Sequence, residues 1–347
     1  MITLSGTQIA QQLLDTRTPY IGLTFTSPDG GTTYDYSVTN GTTDRTLSID
    51  HTEMPYTSGA TIVLDNHDRA VPDLRGYWVQ PDYGDVTGSG NEGEETARLW
   101  VKKQNESSAP GQLQVSLELE GMWEVLDEIE WKLAGDAPFY QYAYDTATPL
   151  TIMQACFTRA GMTLNCTVDD GIIDTVAVYF FVNGASTQGE FDSLKDVVYR
   201  ALSLTKCYIR LLPDMVAEVV YPQEADAVDE TYYTVSTTGY IPSYQYNERM
   251  TLLVPNKITV VANADAWDVT ATAEDTAQQA LYDPDGTGEI NKTWVIAKIT
   301  NSTDAGKIAA ALLTREKAEL LSAYGVTPHD ARVQLYDKEQ FIDTRGI

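Results

Sequence analysis

The sequence predicts an α+β protein in which strands dominate, and three observations carry that expectation. Gln112–Glu120 alternates strictly: Leu113, Val115, Leu117 and Leu119 point one way, and Gln114, Ser116, Glu118 and Glu120 point the other. That is the period of a strand with one buried face and one wet, acidic face. Two segments, 194–202 and 304–324, instead carry apolar residues at helical spacing. Strands and helices do not alternate regularly along the chain, which argues against a doubly wound parallel sheet.

The elements follow in order. Ile9, Leu13 and Leu14 make a short helical stripe that Arg17-Thr-Pro-Tyr20 ends, because Pro19 cannot donate to the helical ladder. Ile21–Phe25 reads as a strand and Ser27-Pro-Asp-Gly-Gly31 as a turn. Asn40-Gly41 suits a tight hairpin, with alternation resuming at Leu47 and Ile49. Ala60–Leu64 is a strand, Asp65-Asn-His-Asp68 a turn, and Tyr77-Trp-Val79 a strand opened by Gly76. Asp82–Glu95 is rich in Gly, Asp and Glu without periodicity, so a solvated loop is expected there. Strand character resumes at Arg98–Val101.

Composition shifts near Gly135-Asp-Ala-Pro138. Thr148 is placed to cap a helix with Pro149 at its first position, and Leu150, Met153, Phe157 and Ala160 follow at helical spacing before Gly161. Ser193-Leu-Lys-Asp196 approximates a capping box ahead of Leu194, Val197, Val198, Ala201 and Leu202. Cys207–Leu212 and Met215–Tyr221 read as strands turned by Pro213-Asp214. Farther on come a strand at Asn256–Ala262, a loop at Tyr282–Gly288 and a strand at Trp294–Ile299. Asp304 can cap the longest helix, whose stripe is Ile308, Leu312, Leu313, Leu320, Leu321 and Tyr324, and Gly325 and Pro328 stop it. Such a helix would run ~30 Å at 1.5 Å per residue. Val333–Tyr336 begins a final strand.

The chain has 347 residues, 43% of them hydrophobic and 21% charged. That suffices for roughly two or three domains with proper cores. Lys and Arg total 23 against 50 Asp and Glu, a net charge of −27. A nucleic-acid binder needs a positive footprint, and an anionic bilayer repels such a chain. No apolar run approaches the ~20 residues of a spanning helix. Met1-Ile-Thr-Leu-Ser-Gly-Thr7 has neither the basic nor the apolar region of a signal peptide. Cys156, Cys166 and Cys207 are odd in number and widely spaced, the pattern of small buried hydrophobes in a reducing cytosol.

Catalytic, cofactor-binding and metal-ligating residues are assigned to none of these segments. His51, His67 and His329 lie in separate segments without ligand spacing and read as exposed or turn residues. Cys156 and Cys166 have no paired His motif, so core packing is expected of them. Asp283, Asp285 and Glu289 surround Gly286 and Gly288 like the opening of a calcium loop. Position five is Thr287 and position twelve Trp294, however, so a polar turn is the plainer reading. Glu124, Asp127, Glu128 and Glu130 cluster after Trp123. A glycoside-cleaving pair needs two carboxyls ~5–9 Å apart, and such an acidic cluster is more often a solvated face. The 21 tyrosines suit interfaces and glycan platforms alike.

Several stretches in this order resemble a known family. They are Arg17-Thr-Pro-Tyr-Ile-Gly-Leu23; Ala60-Thr-Ile-Val-Leu-Asp-Asn66 with Gly76-Tyr-Trp-Val79; Gly111–Gly121; Asp192–Tyr221; Val254-Pro-Asn-Lys-Ile-Thr-Val-Val261; the 304–324 helix; and Leu335-Tyr-Asp-Lys338. The family is the phage tail-tip or baseplate hub, which includes the contractile-phage baseplate hub, late control protein D and the N-terminal hub part of tail-associated lysins. The resemblance implies two tube-like β-barrel domains, over 1–135 and 251–347, joined by an inserted α+β domain over 136–250, with one long helix at 304–324. Three chains would supply six barrels, adapting a sixfold tail to a threefold tip around the DNA channel. The implied partners are two further copies of the chain, a distal tail protein ring above, tip, spike or fibre proteins below, and a tape measure protein in the channel. DNA would pass without specific binding, helped by the acidic balance, and the chain would insert in no membrane. The implied location is the tail tip of the virion, after synthesis in the host cytoplasm. Family members often continue into a spike, lysin or fibre-binding region. Here the sequence ends at Ile347, which leaves a minimal hub, a missing downstream part or a separately supplied tip as alternatives. A receptor- or glycan-binding tail module, and a cell-wall hydrolase using the acidic residues near Glu124, are the rival functions.

Overall fold

The computed structural model describes residues 2–14, 17–39, 45–109, 112–131, 142–182, 192–223, 225–233, 245–250, 255–262, 269–281, 288–296, 299 and 301–342. Asn40-Gly41, the 135–138 composition shift, and Asp283 and Asp285 therefore lie outside the described residues.

Helix α1 (Gly6–Gln12) opens the chain, its start capped by the Ser5 hydroxyl, which accepts from Gln8 N. The strand expected over Ile21–Phe25 is two strands, β1 (Pro19–Gly22) and β2 (Thr24–Thr26). Between them the fully buried Leu23 donates its N–H to Ser37 Oγ and accepts from Tyr36 N, both at 2.9 Å, so the chain changes sheets at that residue. There follow β3 (Thr33–Asp35), β4 (Thr46–Met54), β5 (Thr57–Asp65), β6 (Trp78–Val79), β7 (Asp82–Thr87), β8 (Gly90–Glu95), β9 (Leu99–Ala109) and β10 (Gln112–Glu120). Seven form one sheet in the order β3-β2-β6-β9-β10-β5-β4, and β1-β7-β8 form another. Val115, Leu117 and Leu119 of β10 are buried with Phe25, Ile62, Leu64 and Leu99, as the alternation predicts. The acids of the opposite face are paired with cations: Lys103 Nζ lies 2.8 Å from Glu118 and Lys102 Nζ 2.6 Å from Glu120. Among the described residues the seven-stranded sheet has two edges, β3 and β4. Near one corner Thr46 Oγ1 donates to Tyr36 O at 2.7 Å.

The solvated loop expected over Asp82–Glu95 is instead the β7–β8 hairpin, paired to β1. Its face lacks an apolar period because α1 covers it with polar groups: Gln8 is buried and donates to Glu92 O at 3.2 Å, and Ser5 Oγ donates to the Glu92 carboxylate. Gly84 and Gly93 stand opposite each other in this hairpin. A Cβ on Gly84 would sit 1.9 Å from Glu92 O. Gly84→Ala is therefore expected to destabilise the protein by about 1–3 kcal/mol, the range for overpacking a tight site. Thermal melts, with hydrogen exchange localised to 82–95, would show it.

The next block holds α2 (Met122–Glu128), β11 (Tyr142–Ala147), α3 (Pro149–Arg159), β12 (Thr163–Cys166), β13 (Val178–Val182), α4 (Leu194–Leu202), β14 (Tyr208–Leu212), β15 (Val216–Val220), β16 (Glu230–Tyr233) and β17 (Gln245–Met250). Thr148 caps α3, Pro149 is at its start, and Gly161 follows its end at φ 73°, left-handed backbone that glycine adopts without penalty. The fully buried stripe of α3 is Ile152, Met153, Cys156 and Phe157, with Leu150 and Ala160 at its margins. The Ser193–Asp196 capping box is formed, and Leu194, Val197, Val198, Ala201 and Leu202 are all buried. β12 lies parallel to β15, which pairs antiparallel with β14. Cys156 and Cys207 are buried free thiols, and burial pushes Cys156 up to about 12.

The last block comprises β18 (Lys257–Ala262), β19 (Val269–Glu274), α5 (Thr276–Leu281), β20 (Asn291–Ile296), α6 (Ser302–Leu320), β21 (Leu321–Val326) and β22 (Glu339–Ile342). β18 is central, antiparallel to β19 and parallel to β20, and Ile308 and Leu312 of α6 join the core with Ile258 and Val260. Three expectations change here. Asn301, not Asp304, caps α6: its Oδ1 accepts from Asp304 N at 2.8 Å. The helix ends at Leu320, because pairing with β17 takes Leu321 and Tyr324 into strand β21, where Gly325 opposes Tyr246. Val333–Tyr336 is a turn, since Asp337 Oδ2 accepts from Gln334 N at 2.9 Å; the strand begins at Glu339 and runs parallel to β16. Among the described residues no helix is long and apolar enough to cross a membrane. The architecture as a whole is mainly β with flanking helices.

Candidate functional site

Residues 329–338, between β21 and β22, cross the molecule as a strap, and cations fasten it at several points. Arg17 Nη2 donates to His329 O at 2.7 Å, and Ile2 N to Arg332 O at 2.9 Å, which ties the strap to the N-terminal region. Arg210 of β14 makes three bonds: Nε to Leu335 O at 2.8 Å, Nη1 to Gln334 Oε1 at 3.0 Å, and Nη2 to Asp337 Oδ1 at 2.7 Å. The side chains of that ion pair are only 12% and 3% exposed. Arg332 holds Asp330 at 2.7 Å and also contacts Glu230. Tyr336 packs on Tyr208, with ring centroids 4.8 Å apart, and Arg315 lies over the same Tyr208 ring.

Beneath the strap is a cavity of about 510 Å³ lined by Arg17, Tyr20, Ile49, His51, Tyr83 and His329, among others. Ile49, His51 and Glu53 occupy alternate positions of β4, and His51 pairs with Ala60. The His51 ring lies 5.7 Å from the Tyr83 ring, and Tyr83 lies 5.2 Å from His329, so Tyr83 touches two imidazoles. His51 Nδ1 and Tyr83 Oη share a hydrogen bond of 2.9 Å, and Nε2 stands 3.9 Å from Glu53 Oε1. Burial, helped by the neighbouring His329, pushes His51 down to about 4. His329 is lowered by burial and by Arg17. Burial raises the carboxyl groups of Glu53 and Asp85, although Arg210 opposes it at Glu53 and Arg17 opposes it at Asp85. Burial also raises the Tyr83 phenol. The imidazoles are therefore neutral at pH 7, and the site can take up protons on acidification.

The structure thus joins His51 and His329, which the sequence separates. His67 remains in the expected turn, exposed and 2.7 Å from Asp65 Oδ2. Three members of the acidic cluster, Glu124, Asp127 and Glu128, fasten α2 to different neighbours. Glu124 accepts from Thr57 Oγ1 at 2.6 Å and Ser58 N at 3.2 Å. Asp127 accepts from Ser193 Oγ at 3.1 Å, and Glu128 pairs with Lys102 at 3.2 Å. Glu289, from the calcium-like stretch, pairs with Lys257 at 3.0 Å. Among the described residues no three His, Cys, Asp or Glu side chains are arranged to hold a metal. The one sequence signal that bears on the cavity is the period-two placement of Ile49, His51 and Glu53, and nothing local connects it to His329.

No protein-family model matches the chain, and no curated protein matches it. Solved structures do. The tail protein from Neisseria meningitidis MC58 superposes with a TM-score of 0.62 at 12% identity, covering 95% of this chain and 88% of that one. The 43 kDa tail protein of prophage MuSo2 from Shewanella oneidensis gives 0.58 at 11% identity, covering 94% and 90%. At these identities the likeness is one of fold, and it extends over nearly the whole of all three chains.

Proposed function

We propose that this chain is a structural hub of a phage tail tip or baseplate. The observation that carries the reading is the fold shared, end to end, with two tail proteins. Fold alone does not fix function, but two further features support this one. The acidic balance of −27 suits a conduit that DNA must traverse without sticking. Of the acids offered by the sequence for hydrolysis, Glu124, Asp127 and Glu128 hold α2 to its neighbours. In this reading residues 1–135 and 251–347 form tube-like barrels, 136–250 is the insertion, and three copies close into a ring that matches a sixfold tail to a threefold tip. The ring docks on a distal tail protein above and a tip, spike or fibre below, and admits the tape measure protein.

The test is imaging of the purified full chain by electron microscopy, with mass photometry across micromolar concentrations. A threefold ring with a bore wider than the ~20 Å of a DNA duplex is expected, a width consistent with its groove dimensions. A chain that stays monomeric under assembly conditions would overturn the proposal.

A further inference from the structure

We propose that the His51–Tyr83–His329 stack is an acid-sensitive latch: with both imidazoles neutral it holds the 329–338 strap against β4 and β7, and proton uptake by them releases the strap. This inference rests on the geometry of the strap and is independent of the tail-hub reading.

The geometry is a three-ring contact that joins the strap to the N-terminal sheets. His51 and Tyr83 belong to the N-terminal sheets and are joined at 2.9 Å, whereas His329 belongs to the strap. A charge on His51 is opposed by His329, and a charge on His329 by Arg17. From the segment before β1, Arg17 reaches the His329 carbonyl at 2.7 Å and so places a fixed cation at that ring. From β7, Asp85 faces Arg17 at 3.9 Å, and Tyr83 is a neutral phenol. From β4, Asp50 is exposed, lines the cavity and favours a charged His51, though less than burial and His329 oppose it. Glu53, 3.9 Å from His51, has its carboxyl raised by burial, so it takes up its own proton as the solution is acidified. From the strap, Asp330 favours a charged His329 but is itself bound by Arg332 at 2.7 and 2.9 Å. From β14, Arg210 is spent on Asp337. Glu94 and Glu95 of β8 line the adjoining space with Glu53 and His329. Protonation of both rings therefore sets two imidazolium groups beside Arg17 around one tyrosine.

The sign is fixed by the direction of the histidine shifts. Both are lowered in the folded state, so a strap released into water binds their protons more tightly. The latch is fully closed above about pH 6.5, the ordinary histidine value, and weakens as pH falls toward 4. Glu53 and Asp85, raised in the fold, act in the opposite sense and gain from acid. Acidification also relieves the self-repulsion of a chain at −27. Local release of the strap is thus distinguishable from acid unfolding.

The experiment is hydrogen exchange by mass spectrometry on the full chain between pH 7 and pH 4, with rates corrected for intrinsic exchange. The opening constant of the 329–338 peptides, relative to those of β10, is expected to rise about tenfold per pH unit below 6.5 for each proton taken up. A His51→Gln/His329→Gln double variant should show no such slope. An equal slope in that variant, or none in the wild type, would overturn the latch. Histidine-labelled NMR of the wild type gives a second measure that needs no variant. His51 and His329 titrating together with strap opening support the latch, and both titrating while the strap stays closed refutes it.

Discussion

Arg210→Ala is expected to lower the unfolding free energy by about 3–5 kcal/mol, the cost of removing one partner from a buried ion pair. Asp337 is 3% exposed and would lose its ion pair with Arg210, while Leu335 O and Gln334 Oε1 would each lose a donor. The guanidinium serves three acceptors from a single planar fork, which an ammonium cannot reproduce. Arg210→Lys should therefore recover only part of the loss. Urea denaturation followed by circular dichroism measures both variants. A midpoint for Arg210→Ala within experimental error of wild type would mean that the strap is not held from β14.

Trp123→Ala should cost a similar amount, about 3–5 kcal/mol, by opening a large cavity in the core. Trp123 is 1% exposed and sits at the start of α2, where three elements converge. Its ring meets Tyr56, after β4, edge-on at 5.3 Å and Phe157 of α3 at 6.1 Å. Tyr56 in turn meets Tyr199 of α4 at 5.0 Å. The substitution removes the ring shared by the hairpin turn and α3, so near-ultraviolet dichroism should fall along with the denaturation midpoint. Trp123→Phe, which keeps an aromatic contact, is expected to lose less. Equal losses for the two variants would mean that the cavity term is not what the ring contributes.

The features legible in the chain are those whose causes lie within a few residues of one another. The Ser193 capping box, Thr148 with Pro149, Gly161 at φ 73° and the alternation of Gln112–Glu120 are local statements about backbone hydrogen bonds and side-chain direction, and the structure contains all of them. The apolar stripe of α4 needed no partner to be recognised, because one face of a helix is set by spacing alone.

What failed had its cause elsewhere in the sequence. Asp82–Glu95 has no periodicity because its partner surface is the polar side of α1, and a pattern of apolar residues cannot announce a polar cover. The stripe beyond Leu320 suited a helix until β17 offered a ladder of backbone bonds, and pairing decides strands where spacing alone does not. His51 and His329 were correctly seen as separate in sequence. Their meeting across Tyr83 depends on Arg17, Arg210 and Arg332 drawing the strap over the sheet. Composition, charge and the local elements were determined by the sequence on its own. The sheet order, the strap and the two-histidine site were settled by tertiary structure, because each is a pairing of groups far apart along the chain.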